Sequence, residues 1–142
     1  MRYTFLISIL ILILILISCK KDKFSTAPSL TYKSVNTKTL HQGETIRFGL
    51  SFTDAEGDLT DSLFILKFEP KCVDSRFTAV YKLPDFPSGK NQAGDITVTF
   101  DYNDIPPKCP GKNDTAVFKF VLKDKAQHLS DTAVSDAIAI IQ

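Results

Sequence analysis

Acidic residues gather in two short stretches of the chain, and these are the first candidates for chemistry. Asp54, Glu56 and Asp58 surround a glycine in the first stretch, and Asp124 opens the second. Ca²⁺ takes about six to eight oxygen ligands, mostly from carboxylates and backbone carbonyls. The four residues are therefore candidate calcium ligands if the fold brings the stretches together. The alternative is that Asp54 and Asp124 cap turns by accepting hydrogen bonds from neighbouring backbone amides.

Catalytic patterns are weak in this sequence. The two histidines, His41 and His128, both lie in turn-like polar stretches. His128 precedes a serine and an aspartate, but adjacency in sequence does not create the geometry of a catalytic triad. The sequence has no HExxH, CxxC or nucleophile-elbow motif. We therefore expect a protein that is not an enzyme.

Composition excludes one large class of partner. The chain has 142 residues, with 17 basic and 16 acidic side chains and a formal net charge of +1. A nearly neutral chain without a basic patch is not expected to bind nucleic acid. It contains 11 Phe, 4 Tyr and no Trp, which suits a core built from β-strands. We expect no cofactor apart from the candidate calcium ion.

The elements that would position these residues are β-strands, because apolar residues recur at every second position. The clearest strand covers residues 45–53, and similar patterns cover residues 95–102 and 115–123. Their predicted core residues are Ile46, Phe48, Leu50, Phe52, Ile96, Val98, Phe100, Tyr102, Ala116, Phe118, Phe120 and Leu122.

Two further strands are less regular. In residues 62–69 we predict Phe64, Leu66 and Phe68 inward. The outward positions then include Leu63 and Ile65, which indicates a strand that is central or covered on both faces. Residues 132–141 form the predicted last strand, with Val134, Ile138 and Ile140 on one face and a bulge near Asp136. Aromatic residues of the irregular middle segment either cover a sheet edge or bind a partner; they are Phe77, Tyr81 and Phe86.

Six or seven strands without a helical pattern favour two stacked antiparallel sheets over a closed barrel. Residues 48–59, FGLSFTDAEGDL, and 118–132, FKFVLKDKAQHLSDT, resemble small bacterial lipoproteins that carry an immunoglobulin-like or cadherin-like sandwich. Gln127 stands where that pattern usually has glycine. The resemblance implies an all-β, antiparallel, immunoglobulin-like sandwich of about seven strands over residues 30–142.

The immunoglobulin strand order makes two predictions about the loops. The loop containing Asp54 and the loop containing Asp124 should lie at one end of the sandwich. Cys72 follows the strand of residues 62–69, and Cys109 precedes the strand of residues 115–123. Because these strands are neighbours in that order, we predict a disulfide between Cys72 and Cys109 at the opposite end, as expected for an exported protein.

The amino terminus determines the expected location. Arg2 precedes an apolar run over residues 5–17 that is interrupted once, by Ser8. This run is too short for a typical membrane span and fits a signal peptide. Leu16-Ile17-Ser18-Cys19 resembles the lipobox of bacterial lipoproteins, which implies removal of residues 1–18 and lipidation of Cys19. Residues 19–29 are predicted to form a flexible tether, and the acidic end of the sandwich should lie nearer the lipid.

Two functions follow as expectations. The first is a non-enzymatic envelope lipoprotein, anchored through its lipid and most often in the outer membrane, that binds a protein or glycan or has a structural role. The alternative is a calcium-stabilised, cadherin-like adhesion or assembly module.

Overall fold

The computed structural model describes residues 25–59, 62–71, 77–86, 89–107, 109 and 111–142. The predicted signal peptide, the predicted lipidation site Cys19 and the predicted disulfide partner Cys72 lie outside the described residues. Within those ranges, no helix has the length and apolar character that crossing a membrane requires.

The described chain is built from strands. They are β1 (Ser29–Val35), β2 (Thr39–Leu40), β3 (Thr45–Asp54), β4 (Ser62–Phe68), β5 (Phe77–Lys82), β6 (Gln92–Asp101), β7 (Asp114–Lys123), β8 (Ala133–Val134) and β9 (Ile138–Ile140). One turn of 3₁₀-helix, Tyr102–Asp104, follows β6. The predicted all-β class is therefore confirmed.

The strands form two sheets. One has the order β1-β3-β6, and the other has the order β2-β9-β7-β4-β5, with β8 also paired to β7. All pairs are antiparallel except β2 with β9, which is parallel. The predicted purely antiparallel arrangement is wrong at this pair. Residues 36–38 carry the chain from β1 in one sheet to β2 in the other, so the amino-terminal segment contributes to both sheets.

The inner faces of β3 and β7 make the centre of the core, as predicted. Phe48 and Phe118 are fully buried, and their ring centroids lie 4.7 Å apart. Phe120 is 5.4 Å from Phe48, and Phe100 of β6 is 6.0 Å from Phe118. This aromatic cluster joins the two sheets, because Phe48 and Phe100 belong to one and Phe118 and Phe120 to the other.

Strand β4 faces the opposite way from the prediction. Leu63, Ile65 and Lys67 are buried, whereas Phe68 is 38% exposed. Residues directly opposite each other in antiparallel strands share a face, and Ile65 lies opposite the buried Phe120 of β7. The pairing with β7 therefore turns Leu63, Ile65 and Lys67 into the core.

Hydrogen bonds and an ion pair offset the free-energy cost of burying the charge of Lys67. Its ammonium donates to the carbonyl oxygens of Ile105 at 3.0 Å and Pro106 at 2.9 Å, and it forms an ion pair with the buried Glu69. A buried charge needs a counter-charge and hydrogen bonds, and this site supplies both. The sequence pattern placed Lys67 in solvent because it contains no signal for these partners.

The predicted last strand is divided in two. Ser135, between β8 and β9, exchanges backbone and side-chain hydrogen bonds with Phe118 at 2.9 Å. The break shifts the alternation, so Ile138 and Ile140 are buried as predicted but Val134 is 47% exposed. The interruption expected near Asp136 is therefore present, and the prediction that Val134 shares a face with Ile138 and Ile140 is wrong.

Candidate functional site

The first acidic loop is wrapped around a buried carboxylate. Asp54 ends β3 and is fully buried. Its Oδ2 accepts hydrogen bonds from the amides of Gly57 at 2.9 Å and Asp58 at 3.0 Å. Gly57 has φ of 73°, and a Cβ there would lie 1.9 Å from the carbonyl oxygen of Gly89. Glycine is therefore required both by the turn and by the neighbouring backbone.

The second acidic loop repeats this arrangement after β7. Asp124 is fully buried; its Oδ1 accepts from the amide of His128 at 2.7 Å, and its Oδ2 lies 3.0 Å from Nδ1 of His128. Gln127 has φ of 73°. Gln127 thus adopts the left-handed conformation for which the resembled pattern uses glycine, and the turn forms without it.

The two loops lie together at one end of the sandwich. Asp58 accepts two hydrogen bonds from backbone amides of the second loop, each at 3.2 Å. The amide of Lys125 donates to its carbonyl oxygen, and the amide of Ala126 donates to its Oδ2. One ligand atom from each of Glu56, Asp124 and His128 lies within 4.8 Å of the other two. The hydrogen bonds of Asp54 and Asp124 are those of the turn-capping alternative, and calcium binding stays a prediction.

Two carboxylate oxygens at this end are unusual because they are buried without a hydrogen-bond donor in the described part of the chain. Oδ1 of Asp54 and Oδ1 of Asp58 are both buried, and neither has a hydrogen-bond partner among the described residues. His128, whose side chain is 45% exposed, joins the cluster, although it was not among the candidate calcium ligands predicted from the sequence. Its spacing four residues after Asp124 was the available signal.

The opposite end brings the two cysteine-bearing segments together. Sγ of Cys109 lies 3.9 Å from the carbonyl oxygen of Lys71, the residue before Cys72. Because Cys72 lies outside the described residues, the disulfide stays a prediction.

The outer side of the β4–β7 pair carries a surface that sequence analysis did not identify. Phe64 lies between Val80 and Val121, Leu66 lies opposite Lys119, and Phe68 lies opposite Val117. Opposed residues share a face, so these residues form one continuous surface, extended by Val134 opposite Lys119. We call it the apolar face: Phe64, Leu66, Phe68, Val80, Val117, Val121 and Val134.

Much of the apolar face is open to solvent. Val80 is 56% exposed and Val134 is 47% exposed. Nζ of Lys119, the charged group in its middle, lies 5.6 Å from the ring centroid of Phe68. The available signal was the sequence of β4, SLFILKF, in which both alternating sets of residues are apolar apart from Lys67.

The outer side of the three-stranded sheet has the opposite character. Arg47 lies opposite Thr99, Ser51 opposite Asp95, and Thr45 donates to Asp101 at 2.8 Å. We call this surface the polar face: Thr31, Thr45, Arg47, Ser51, Asp95, Thr97, Thr99 and Asp101. Such a surface is usual for the solvent side of an antiparallel sheet.

A cavity opens at the seam between β5 and β6, the last strands of the two sheets. Its volume is about 220 Å³, and its lining residues are Leu63, Tyr81, Leu83, Pro84, Ile96, Thr97, Val98 and Thr99. Tyr81 is 45% exposed, and its ring centroid lies 6.3 Å from that of Phe100.

The ring of Phe86 packs against that of Phe52, with 5.3 Å between the centroids. The edge-covering interpretation therefore holds for Phe86, whereas Tyr81 borders an open cavity.

Comparison with known proteins identifies no family. No protein-family model matches the sequence, and no curated protein matches it. Solved structures match in fold. The chain aligns over 83% of its length with 31% of the alkylpurine DNA glycosylase AlkC of Pseudomonas fluorescens, at 13% identity and a TM-score of 0.50.

Two other solved structures align less well. The sporulation control protein Spo0M of Bacillus subtilis has 12% identity and a TM-score of 0.47, with 82% of this chain and 50% of that chain covered. A Niemann-Pick type C2 protein from the Japanese carpenter ant has 13% identity and a TM-score of 0.46, with 81% and 95% covered. The chain thus spans about a third of the glycosylase and half of the sporulation protein. At such low identity the first likeness concerns the fold alone, which is a small all-β, sandwich-like domain.

Proposed function

We propose that the protein is a lipid-anchored, non-enzymatic binding module of the bacterial cell envelope, whose immunoglobulin-like sandwich presents the apolar face to a protein partner. The observation that carries the proposal is the exposure of that face. Soluble domains rarely expose a large continuous apolar surface, and such surfaces often mark protein interaction sites.

Strand order supports the immunoglobulin-like assignment. In that fold strands B and E share one sheet, and strands C, F and G share the other. With β3 as B, β4 as C, β6 as E, β7 as F and β9 as G, the observed pairings agree with this order. Strand β5 then corresponds to the additional C′ strand of variable-type domains.

The chemistry of the apolar face indicates the kind of partner. Its phenylalanine, leucine and valine side chains favour a folded protein with its own apolar surface, since burial of both would remove apolar area from water. Lys119 is the cation within this surface, and in the described chain no carboxylate pairs with it. A partner carboxylate opposite Lys119 would complete the contact.

The lipid anchor is supported by the lipobox-like residues Leu16 to Cys19. The carbonyl oxygen of Ser25 accepts a hydrogen bond from Ala55 at 3.2 Å, so the chain enters the sandwich beside the acidic loops. An anchor at that end would place the apolar face on the side of the domain, beside the membrane and accessible to envelope proteins.

Site-specific photo-crosslinking in the native bacterium tests the binding surface. A benzophenone amino acid at Val80 or Val134 should crosslink one defined protein, whereas the same residue at Thr31 on the polar face should not. Phe68→Asp in the Val80 background should abolish the adduct. Equal crosslinking from both faces would contradict the proposal, and an adduct with a second copy of this chain would replace the partner by a self-interface.

The anchor has a separate test. Cys19→Ala should leave an unprocessed precursor that incorporates no labelled fatty acid and is not retained as a mature membrane protein. Normal processing of this variant would reject the lipoprotein assignment without affecting the assignment of the apolar face.

A calcium-stabilised module is the second candidate, because Asp54 and Asp58 each bury an unpaired carboxylate oxygen. Buried carboxylate oxygens are costly without a partner, and a Ca²⁺ ion would provide one. If so, millimolar Ca²⁺ should raise the melting temperature of the protein and millimolar Mg²⁺ should raise it less. Asp58→Asn should abolish the shift, and Asp101→Asn, outside the acidic loops, should preserve it. An unchanged melting temperature in Ca²⁺ rejects this candidate.

A further inference from the structure

Strand β6 is a long strand at the border of its sheet. It has ten residues, and within the described chain it pairs along one side, with β3. Its other side faces the seam, across which lies β5, the last strand of the opposite sheet. The edge of such a strand presents a row of unpaired N–H and C=O groups, which is a template for another strand.

The seam cavity follows this edge. Four consecutive residues of β6, Ile96 to Thr99, line it. Successive side chains of a strand point to opposite faces of the sheet. A cavity that touches all four residues must therefore lie against the backbone edge of the strand, because residues of both faces are accessible only from that edge.

The far wall of the cavity is apolar. Leu63, Leu83 and Pro84 contribute aliphatic surface, and the ring of Tyr81 borders it. The volume of about 220 Å³ exceeds the roughly 150 Å³ of an engineered cavity that accommodates benzene. It therefore has room for one leucine or phenylalanine side chain.

We propose that this seam is a peptide-binding site, in which an extended segment of a partner protein pairs with the free edge of β6 and inserts one apolar side chain into the cavity. In this mode of recognition, main-chain hydrogen bonds supply affinity and a side-chain pocket supplies specificity. Both components are present in the same stretch of β6.

The exposed backbone favours a peptide over an acyl chain as the occupant. Edge N–H and C=O groups are hydrogen-bonded to water when the seam is open. An acyl chain would displace that water without replacing the hydrogen bonds, and this has a cost. An extended peptide replaces each lost hydrogen bond with one of its own.

The inference goes beyond the proposed function, because it depends on the edge of the three-stranded sheet and not on the apolar face. A partner could occupy either surface alone. Substitutions on the apolar face are therefore suitable controls for the seam.

The experiment selects a phage-displayed library of random eight-residue peptides against the full chain purified in detergent. The best peptide is then synthesised with fluorescein, and its dissociation constant is measured by fluorescence polarisation. We expect enriched peptides to share one leucine or phenylalanine. Replacing that residue by alanine should weaken binding about tenfold, the effect of losing roughly 1.4 kcal/mol.

Backbone pairing is tested by methylating single amides of the peptide. Strand addition predicts an alternating result, because every second amide of the peptide faces β6. N-methylation at those positions should weaken binding about tenfold or more, and N-methylation at the intervening positions should weaken it much less.

Two protein variants locate the site. Ile96→Trp fills the cavity and should remove most of the preference for the apolar peptide residue, whereas Val134→Trp on the apolar face should preserve it. If Ile96→Trp does not fold, the methylation series decides alone. Failure to enrich any peptide, a methylation series without alternation, or a folded Ile96→Trp variant that binds normally would overturn the inference.

Discussion

The outer faces of the two sheets differ in the surface that they present to water. On the three-stranded sheet, the positions that alternate with the core residues of β3 and β6 carry threonine, serine, arginine and aspartate, together with Gly49 and Ala93. On the β4–β7 pair, the corresponding positions carry mainly phenylalanine, leucine and valine, with Lys119 among them and Ser62 and Lys123 at one end. Both sheets bury aromatic and aliphatic residues inside, so the contrast in apolar character lies on the outside.

Lys67 shows how this difference arises. Strand β4 has apolar residues on both sides, and its one charged residue points into the core. The chain accommodates that charge with two carbonyl oxygens and Glu69. As a result, Phe64, Leu66 and Phe68 are left on the outside. A buried charge whose partners are within the core can therefore leave the apolar residues of the same strand exposed, and we propose that a partner protein covers them.

The largest expected effect is a loss of stability when the buried lysine on the inner side of β4 is replaced. Lys67→Met leaves Glu69 buried without its cation, and breaking a buried pair in this way typically costs about 3–5 kcal/mol. Urea unfolding measures the loss. The matched control is Lys119→Met on the apolar face, where we expect a change below about 1 kcal/mol.

A second variant separates charge from packing at this position. The double substitution Lys67→Met with Glu69→Leu should recover a large part of the lost stability, because no unpaired charge remains. A small effect of Lys67→Met alone would contradict the role that we assign to the ion pair.

The next effect concerns binding. Phe68→Ser together with Val134→Ser should change the free energy of unfolding by less than about 1 kcal/mol, because both side chains are substantially exposed. The same double variant should lose crosslinking from Val80. A large loss of stability would instead mean that the apolar face contributes to folding.

The converse experiment places apolar side chains on the polar face. Thr97→Val and Thr99→Val introduce apolar side chains into a strand position that favours β-branched residues. We expect unfolding free energies within about 0.5 kcal/mol of the wild-type value and unchanged crosslinking from Val80. Loss of that crosslink would show that the two faces are not independent.

The smallest effect concerns a contact that joins the two sheets. Tyr32 of β1 donates to Oδ2 of Asp136, between β8 and β9, at 3.3 Å, and Lys38 lies 3.0 Å from the same oxygen. Partial burial, together with the negative charge of Asp136, raises the pKa of Tyr32 above its usual value of 10.0.

The sign of the pH dependence follows from this raised pKa. The folded state favours the neutral phenol, so its stabilising contribution is complete below pH 10 and is lost as the pH rises through the pKa of the folded state. In urea unfolding between pH 9 and 11.5, Tyr32→Phe should show a shallower decline than the wild type. Parallel curves would contradict the contribution of Tyr32.

Much of the fold could be predicted because β3 and β7 alternate clearly between apolar and polar or smaller residues. The meeting of the two acidic loops was also predictable, since strand order places both at one end. The parallel pair formed by β2 could not be predicted, because two residues, Thr39 and Leu40, carry too little pattern. Exposure of Val134 was missed because the hydrogen bonds of Ser135 interrupt the strand.

The sequence by itself determined the class of the fold, the core faces of its clearest strands and the candidate residues Asp54, Glu56, Asp58 and Asp124. These features depend on local periodicity and turn chemistry, which the chain carries in its order of residues. Tertiary structure alone decided which side of β4 is buried. Both sides of that strand are apolar, and the choice depends on its register with β7 and on distant partners for Lys67. It also decided that His128 joins the acidic loops and that a cavity lies beside the free edge of β6.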